Sequence, residues 1–135
     1  MSKPACKEEL AYAKRAKVDF FASQQIIKQG SDQIIAELKA KLEPHEHVYL
    51  TVDIDVLDPA FAPVAQNPEP EGINPTPLLD IVCAICDKRL IGFDVLEITP
   101  AYDQEVTAIV ASKIMFELLC QLEKSRKTLD FSARS

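Results

Sequence analysis

The sequence has 135 residues, of which 47% are hydrophobic and 27% are charged, and its formal net charge is −6. This length and balance are typical of one globular domain, and the acidic charge argues against a nucleic-acid or anionic-membrane partner. No apolar run approaches the roughly 18–20 residues that cross a bilayer, and the N-terminal residues lack the apolar segment of a signal peptide. We therefore expect a cytoplasmic protein with no membrane partner.

The first third of the chain predicts helices and one short strand. Residues 7–16 are helix-forming in composition, and the β-branched and aromatic residues at 18–21 predict a strand. Ser23 is a candidate cap for a brief helix that stops near Gly30. Residues 31–42 predict a clearer helix, because their apolar side chains recur at helical spacing.

The stretch that follows carries most of the chemical information. Residues 48–52 (VYLTV) predict a strand, and three carboxylates, Asp53, Asp55 and Asp58, lead from it into a proline-rich loop. In an extended chain, residues two apart point to the same face, so Asp53 and Asp55 would lie together. Two like charges held together favour a divalent cation between them. The alternative is structural, with one Asp capping the strand end and the other starting a turn.

The second half of the chain predicts two helices and a strand. A helix that opens near residues 76–77 carries Cys83 and Cys86, and residues 90–96 predict a strand with Glu97 at its end. Residues 104–122 predict the longest helix because of their wide apolar face. The polar residues 123–135 predict a flexible tail.

The four cysteines and two histidines do not complete a metal site. Cys83 and Cys86 form a C-x-x-C motif, which could be a redox pair or half of a zinc site. The motif lies late in its helical run, and a second C-x-x-C or a histidine pair is missing, so we expect buried core thiols. His45 and His47 precede the first strand at the opposite edge of the sheet, and we expect them on the surface.

Strands that alternate with helices argue for a parallel α/β sheet with helices on both faces, of which about three strands are visible. In such sheets, ligands collect beyond the carboxyl ends of the strands. Asp53, Asp55 and Glu97 lie at the ends of the two best strands. The topology therefore predicts a site at this edge of the sheet.

Two long blocks resemble the arginase/agmatinase (ureohydrolase) family. The first is residues 51–63 (TVDIDVLDPAFAP) with Pro68, Glu69, Pro70 and Gly72, and the second is residues 92–103 (GFDVLEITPAYD). The final helix of the family is matched by Thr107, Ala108, Lys113, Phe116 and Glu117. The likeness covers roughly residues 8–120, and the ending Pro-Ala-Tyr-Asp is closer to agmatinases than to arginases.

The resemblance implies a three-layer αβα sandwich with a parallel sheet, here in a partial, truncated version, and residues 1–122 would be the C-terminal part of a ureohydrolase domain. It implies manganese-dependent hydrolysis of an agmatine-like guanidino compound to urea and an amine, a reaction of polyamine metabolism. Asp53 would be shared by both ions of a dinuclear Mn²⁺ centre, Asp55 would ligate one of them, and Glu97 would face the substrate guanidinium.

The sequence departs from the family pattern in two respects. The other metal ligands of the family, and a histidine that helps catalysis, come from upstream motifs that these 135 residues do not contain. We therefore assign no catalytic residue and expect the chain alone to be inactive. In addition, a loop that is glycine-rich in the family carries Val64, Ala65, Gln66, Asn67 and Glu71 here, and Val64 would tolerate a positive φ poorly.

Three interpretations follow from these observations. The first is an agmatinase-like hydrolase that acts on a small guanidino substrate, as a homo-oligomer or together with a missing N-terminal half. The second is a non-catalytic truncated remnant or interaction module of a ureohydrolase. The third, a metal-dependent phosphotransferase built on the D-x-D motif, would need a Lys and a Ser/Thr at neighbouring strand ends, and the sequence offers no such set.

Overall fold

The structure, a computed structural model, describes residues 7–99, residue 101 and residues 105–132. The helices are α1 (Lys7–Arg15), α2 (Ser23–Gln29), α3 (Ser31–Leu42), α4 (Pro75–Ile85) and α5 (Val106–Ser132). The strands are β1 (Val48–Asp53) and β2 (Leu90–Leu96), and a 3-10 turn over Ile54–Val56 follows β1 directly. Cys6, which is one of the four cysteines, and Pro100, Tyr102 and Asp103 of the second family block lie outside the described residues.

The two strands pair in parallel, which requires a crossover connection, and α4 supplies it. The register runs from Tyr49 opposite Gly92 to Asp53 opposite Leu96, after an irregularity at Val48. Both strands therefore point their carboxyl ends to the same edge of the sheet. Asn74 caps α4, because its side-chain oxygen accepts a hydrogen bond from the Thr76 amide at 3.0 Å.

The core continues from the sheet into the loop that follows β1. Ile54, Leu57 and Ile73, which lie in and around this loop, are almost completely buried. They join apolar side chains from both strands, α4 and α5, namely Val52, Leu90, Leu78, Val82, Ala111, Ile114 and Leu118. The loop is thus anchored by apolar contacts and does not project freely from the carboxyl edge of the sheet.

The predicted strand at residues 18–21 is wrong. This segment has no regular secondary structure, and Val18 and Phe20 are largely exposed. Only Phe21 packs against the core. A β-branched and aromatic composition favours a strand only where a neighbouring strand can pair with it, and the described residues offer none here.

The predicted end of the last helix at residue 122 is also wrong, because α5 has 27 residues and continues to Ser132. Residues 123–127 contain good helix formers, and Lys127 forms a 2.7 Å ion pair with Glu123 one turn earlier. Whether residues 123–135 are flexible in solution stays a prediction. Across the part of the chain that the structure describes, no helix is both long and apolar enough to span a membrane.

Arg89 ties the sheet to the N-terminal helices. Its guanidinium donates to the backbone carbonyl of Leu42 at the end of α3 and forms a 2.7 Å ion pair with Asp87. The hydrogen bond from Arg89 lowers the pKa of the Asp87 carboxyl. This contact fixes where α3 lies relative to the start of β2.

Candidate functional site at the carboxyl edge of the sheet

Asp53 is the last residue of β1, and the chain does not continue in an extended form beyond it. The 3-10 turn begins at the next residue, and Asp53 Oδ1 accepts a hydrogen bond from the Asp55 amide at 2.9 Å. The prediction that Asp53 and Asp55 share one face of an extended strand is therefore wrong. The alternative, in which one Asp caps the strand end and the other starts a turn, is confirmed for the cap at Asp53, and Asp55 lies within the turn that Ile54 begins. The metal-binding roles of both residues remain predictions.

Two other carboxylates hold the loop after β1 together. Both oxygens of Asp55 lie 3.1 Å from the Asn67 amide, which donates to them across twelve residues. Asp58 accepts from the Ala60 amide at 2.9 Å with one oxygen and from the Glu71 amide at 3.0 Å with the other. Because backbone amides need acceptors when they are withdrawn from water, these aspartates give the loop its shape.

The two ends of this loop meet at Gly72. A β-carbon at this position would lie 2.4 Å from the Asp58 nitrogen and 2.5 Å from the Leu57 carbonyl carbon, closer than any real contact. The Asp58 amide donates to the Ile73 carbonyl and the Ile73 amide to the Val56 carbonyl, both at 3.0 Å. Glycine is therefore required here so that the two chain segments can approach each other.

The sequence predicted backbone strain from a positive φ at Val64, but the structure has the positive φ at another residue of this loop. Val64 does not have a positive φ, whereas Glu71, another of the residues that replace family glycines, has a φ of 68°. A residue with a β-carbon pays about 1–2 kcal/mol in the left-handed region.

Glu97, which follows β2, also has a left-handed backbone, with a φ of 63°. One of its carboxylate oxygens, Oε2, is buried and has no hydrogen-bond partner within the described structure. Residues held in such conformations cluster at functional sites. A buried oxygen without a donor is costly, which makes Glu97 a candidate acceptor for an external donor.

Asp94, which lies three residues earlier in the middle of β2, also has a buried carboxylate oxygen without a donor in the described structure. Its Oδ2 accepts a 2.9 Å hydrogen bond from the Tyr49 hydroxyl on the neighbouring strand, whereas Oδ1 is buried and has no partner in the part of the chain described. The bond to Asp94 raises the pKa of Tyr49. The sequence analysis did not single out this pair, but the signal was present, because an ionisable residue inside an apolar strand is unusual.

The register and the loop bring the two strand ends together. Asp53 lies opposite Leu96, so Glu97 is the next residue at the same edge. Ala65 in the loop bridges to Ile98 after β2, and the Val64 amide donates to the Thr107 hydroxyl on α5 at 3.3 Å. The prediction that Asp53, Asp55 and Glu97 lie at one edge of the sheet is therefore confirmed for the positions of Asp53 and Glu97.

The residues at this edge do not by themselves fit a dinuclear manganese centre. Aspartate oxygens suit Mn²⁺, but the described residues contain no group of three or more His, Cys, Asp or Glu side chains that could hold an ion. Backbone amides already occupy an oxygen of Asp53 and both oxygens of Asp55. His45 and His47 are exposed and precede β1 at the opposite end, as predicted.

The cysteine motif belongs to the core. Cys86 is buried and donates to the Leu118 carbonyl at 3.6 Å, whereas Cys83 and Cys120 are half-buried. Burial raises the pKa of the Cys83 and Cys86 thiols, the opposite of what a reactive thiolate requires. The interpretation as core thiols is confirmed for Cys86.

Comparison with known proteins now identifies the family. The sequence matches the model of the arginase family over residues 3–120. The chain belongs to the arginase family. It is 41% identical over 98 residues to an agmatinase of Chromobacterium violaceum, a match that spans 72% of this chain and 30% of the relative. An Enterobacter agmatinase is 42% identical over 96 residues, spanning 70% and 31% of the two chains.

A solved structure of this family confirms the predicted arginase-like α/β fold. The agmatine ureohydrolase of Thermoplasma volcanium superposes with a TM-score of 0.83 and 32% identity, covering 93% of this chain and 42% of that one. The chain spans about a third of the length of the two curated agmatinases that it matches.

Proposed function

We propose that this chain forms the guanidinium-binding side of an agmatinase-like amidino hydrolase, which cleaves an agmatine-like substrate into urea and an amine. The observation that carries the proposal is the carboxylate of Glu97. Its buried Oε2 lacks a donor within the described structure, and the left-handed backbone holds the residue at the same sheet edge as Asp53. A guanidinium group is planar and rich in N–H donors, so it can supply the hydrogen bond that this oxygen lacks.

In this proposal, the side chains around Glu97 bind and orient the substrate. Asp94 lies three residues before Glu97, in β2, and one of its oxygens is buried without a partner in the described structure while the Tyr49 hydroxyl donates to the other. The loop after β1, which its own aspartates hold in shape, forms the neighbouring wall. The net charge of −6 favours the approach of a cationic guanidino compound.

Asp53 and Asp55 remain our proposed manganese ligands, on the basis of the family resemblance. Two aspartates do not complete a centre for two Mn²⁺ ions. The remaining ligands would come from polypeptide outside these 135 residues, and we expect no urea release by this chain alone. The alternative is a non-catalytic interaction module with the same fold, which the following experiment distinguishes.

A chimera tests the proposal. In the agmatinase of Chromobacterium violaceum, the 98 matched residues would be replaced by their counterparts from this chain, and urea release from agmatine would be measured. We expect an active chimera in which Glu97→Gln lowers kcat/KM by about 100-fold, the size of effect typical of a lost charged contact at the reacting group. Glu37→Gln, at an exposed glutamate on α3, is the control and should leave kcat/KM unchanged.

A folded chimera that releases no urea, while the parent agmatinase does, would contradict the proposal and favour the interaction module. An active chimera in which Glu97→Gln has no effect would contradict the assigned role of Glu97.

A further inference from the structure

The two strands of the sheet change register near their starts. Val48 lies opposite Leu90, but the next residue, Tyr49, lies opposite Gly92. Ile91 in β2 therefore has no counterpart in β1. An extra residue in one strand re-aims the side chains that follow it, and such irregularities are frequent beside active sites.

This irregularity decides which residues meet at the carboxyl edge of the sheet. The pairing is regular after it, so Asp53 lies opposite Leu96, and Glu97 is the next residue after that position. In an unbroken register, Asp53 would lie opposite Val95, and Glu97 would be one residue farther away. A shift of one residue also exchanges the two faces of a strand. The proposed site therefore depends on the register that follows the irregularity.

Tyr49, the first residue of the new register, is joined to β2 in two ways. Its hydroxyl donates to Asp94 Oδ2 at 2.9 Å, two residues farther along β2 than its own partner. Its ring lies against Gly92, where a β-carbon would be only 2.8 Å from Cε2 of the tyrosine. In an unbroken register the residue opposite Tyr49 would be Ile91, whose branched side chain would take the place of the ring. Both contacts are therefore specific to the observed register.

Asp94 keeps a second oxygen that the hydrogen bond between the strands does not use. This oxygen, Oδ1, is buried and has no hydrogen-bond partner within the described residues, and a buried acceptor without a donor is costly. A side chain with one acceptor oxygen could join the strands without this cost. Because natural proteins retain such unfavourable groups mainly at functional sites, a role at the carboxyl edge explains the pair better than stability alone.

We propose that Tyr49 and Asp94 are positioning residues, which hold the register of β1 and β2. In doing so, they fix the place of Asp53 beside Glu97. The inference rests on the proposed function, because the placement of these two carboxylates matters only if this edge of the sheet is a site. Gly92 is part of the arrangement, since only a residue without a β-carbon leaves room for the tyrosine ring. In this role, the three residues act through the ends of the two strands.

The kinetics of the chimera described above test the positioning role. Tyr49→Phe removes the hydroxyl, and Gly92→Ala displaces the ring without removing either partner of the hydrogen bond. We expect each variant to lower kcat about tenfold, with KM changed less than about twofold, because small misplacements of the reacting groups affect the chemical step. The double variant should be no slower than either single variant, since both substitutions break the same contact.

Thr51→Val is the matched control, because it also removes a hydroxyl from an exposed position of β1 but leaves the contact between Tyr49 and Asp94 in place. It should leave kcat unchanged. The full 135-residue chain provides a second readout that does not require activity. Tyr49→Phe should speed hydrogen exchange about fivefold at the amides that pair β1 with β2. The amides of α4 in this variant, and all amides of Thr51→Val, should exchange as in the parent chain.

Unchanged kcat in both variants of an active chimera would overturn the inference, and so would equal exchange in Tyr49→Phe and the parent chain. Faster exchange in α4 as well as in the sheet would also overturn it, because that pattern means a general loss of stability. A chimera that loses activity on Glu97→Gln but not on Tyr49→Phe would keep the proposed function and reject the positioning role. A chimera without urea release would reject the proposed function, and hydrogen exchange would still decide whether Tyr49 and Asp94 hold the register.

Discussion

The loop after β1 and the end of β2 both place acidic side chains at one edge of the sheet, but they use them in opposite ways. Asp58 in the loop gives each of its oxygens to a backbone amide. Glu97 at the end of β2 keeps a buried oxygen with no partner in the described structure, and so does Asp94 in the middle of that strand. The difference teaches that a satisfied carboxylate shapes the fold, whereas an unsatisfied one is available to an external donor.

The aspartates of the loop can reach their backbone amides only if the two ends of the loop meet in the close contact at Gly72. Gly72→Ala should destabilise the chain by about 3 kcal/mol, because its β-carbon would overlap the backbone of Asp58 and Leu57. Thermal unfolding measures this effect. Gly30→Ala is the control, because Gly30 has a φ of 82° but open space around the missing β-carbon, so it should cost only about 1 kcal/mol of backbone strain. Equal losses in the two variants would mean that steric overlap does not explain Gly72.

The two classes of carboxylate can be compared directly by neutralising one of each. Asp58→Asn should cost about 2 kcal/mol, because the amide cannot accept from both loop N–H groups and leaves one donor unpaired. Glu97→Gln should change the free energy of unfolding by less than about 0.5 kcal/mol, because no donor among the described residues loses Glu97 Oε2 as its acceptor. Urea denaturation of both variants would measure this contrast. A larger loss for Glu97→Gln would show that the carboxylate of Glu97 has a structural partner.

The strained backbone of the loop offers a smaller test. With its φ of 68°, residue 71 should prefer glycine, so Glu71→Gly should melt about 3 °C above Glu71→Ala. The alanine variant controls for the loss of the glutamate side chain while it keeps the strain. If alanine proved as stable as glycine, the left-handed conformation would not persist in solution.

The smallest expected effect on the free energy of unfolding concerns Asp87, a carboxylate outside the loop that forms an ion pair with Arg89. Arg89 lowers the pKa of Asp87, so this pair stabilises the fold above the ordinary pKa of the carboxyl. That contribution is lost as the pH falls through the lowered pKa. Because the Asp87 side chain is 42% exposed, solvent screening should limit the effect to under about 1 kcal/mol.

Asp87→Asn should therefore be less stable than the parent chain at pH 7, and the difference should shrink as the pH falls below about 4. Chemical denaturation across this pH range would follow the change. A difference that does not vary with pH would show that the ion pair is not its cause.

The sequence was sufficient to predict those helices and strands whose apolar periodicity agrees with the burial of their side chains in the structure. Residues 48–52 and 90–96 form the predicted strands, and the predicted helix from Ser31 to Leu42 is present, because apolar periodicity matches their packing. It failed at residues 18–21, where composition favoured a strand but the part of the chain that the structure describes offers no strand to pair with. It also ended α5 too early, because a polar segment can remain helical through pairs such as Glu123 and Lys127.

For the candidate site, the sequence predicted the position of the residues better than their local geometry. Topology alone placed Asp53 and Glu97 at one sheet edge. The sequence could not show that the chain turns immediately after Asp53, or that the Asn67 amide occupies both oxygens of Asp55, because these bonds depend on how the loop between β1 and α4 folds onto the core. The strained residue proved to be Glu71, since only the three-dimensional path of the loop decides which residue needs a positive φ.

The central claim is that the carboxyl edge of this sheet is one part of a hydrolase site, whose remaining ligands lie outside these 135 residues. A calorimetric titration of the purified chain with Mn²⁺, with Asp55→Ala alongside, tests this claim most directly. We predict no saturable binding by the chain alone and no difference between the two proteins, because two aspartates leave most of the coordination sphere of each ion unfilled. Stoichiometric binding of two ions, lost in Asp55→Ala, would contradict the claim and show that this chain builds a complete metal centre.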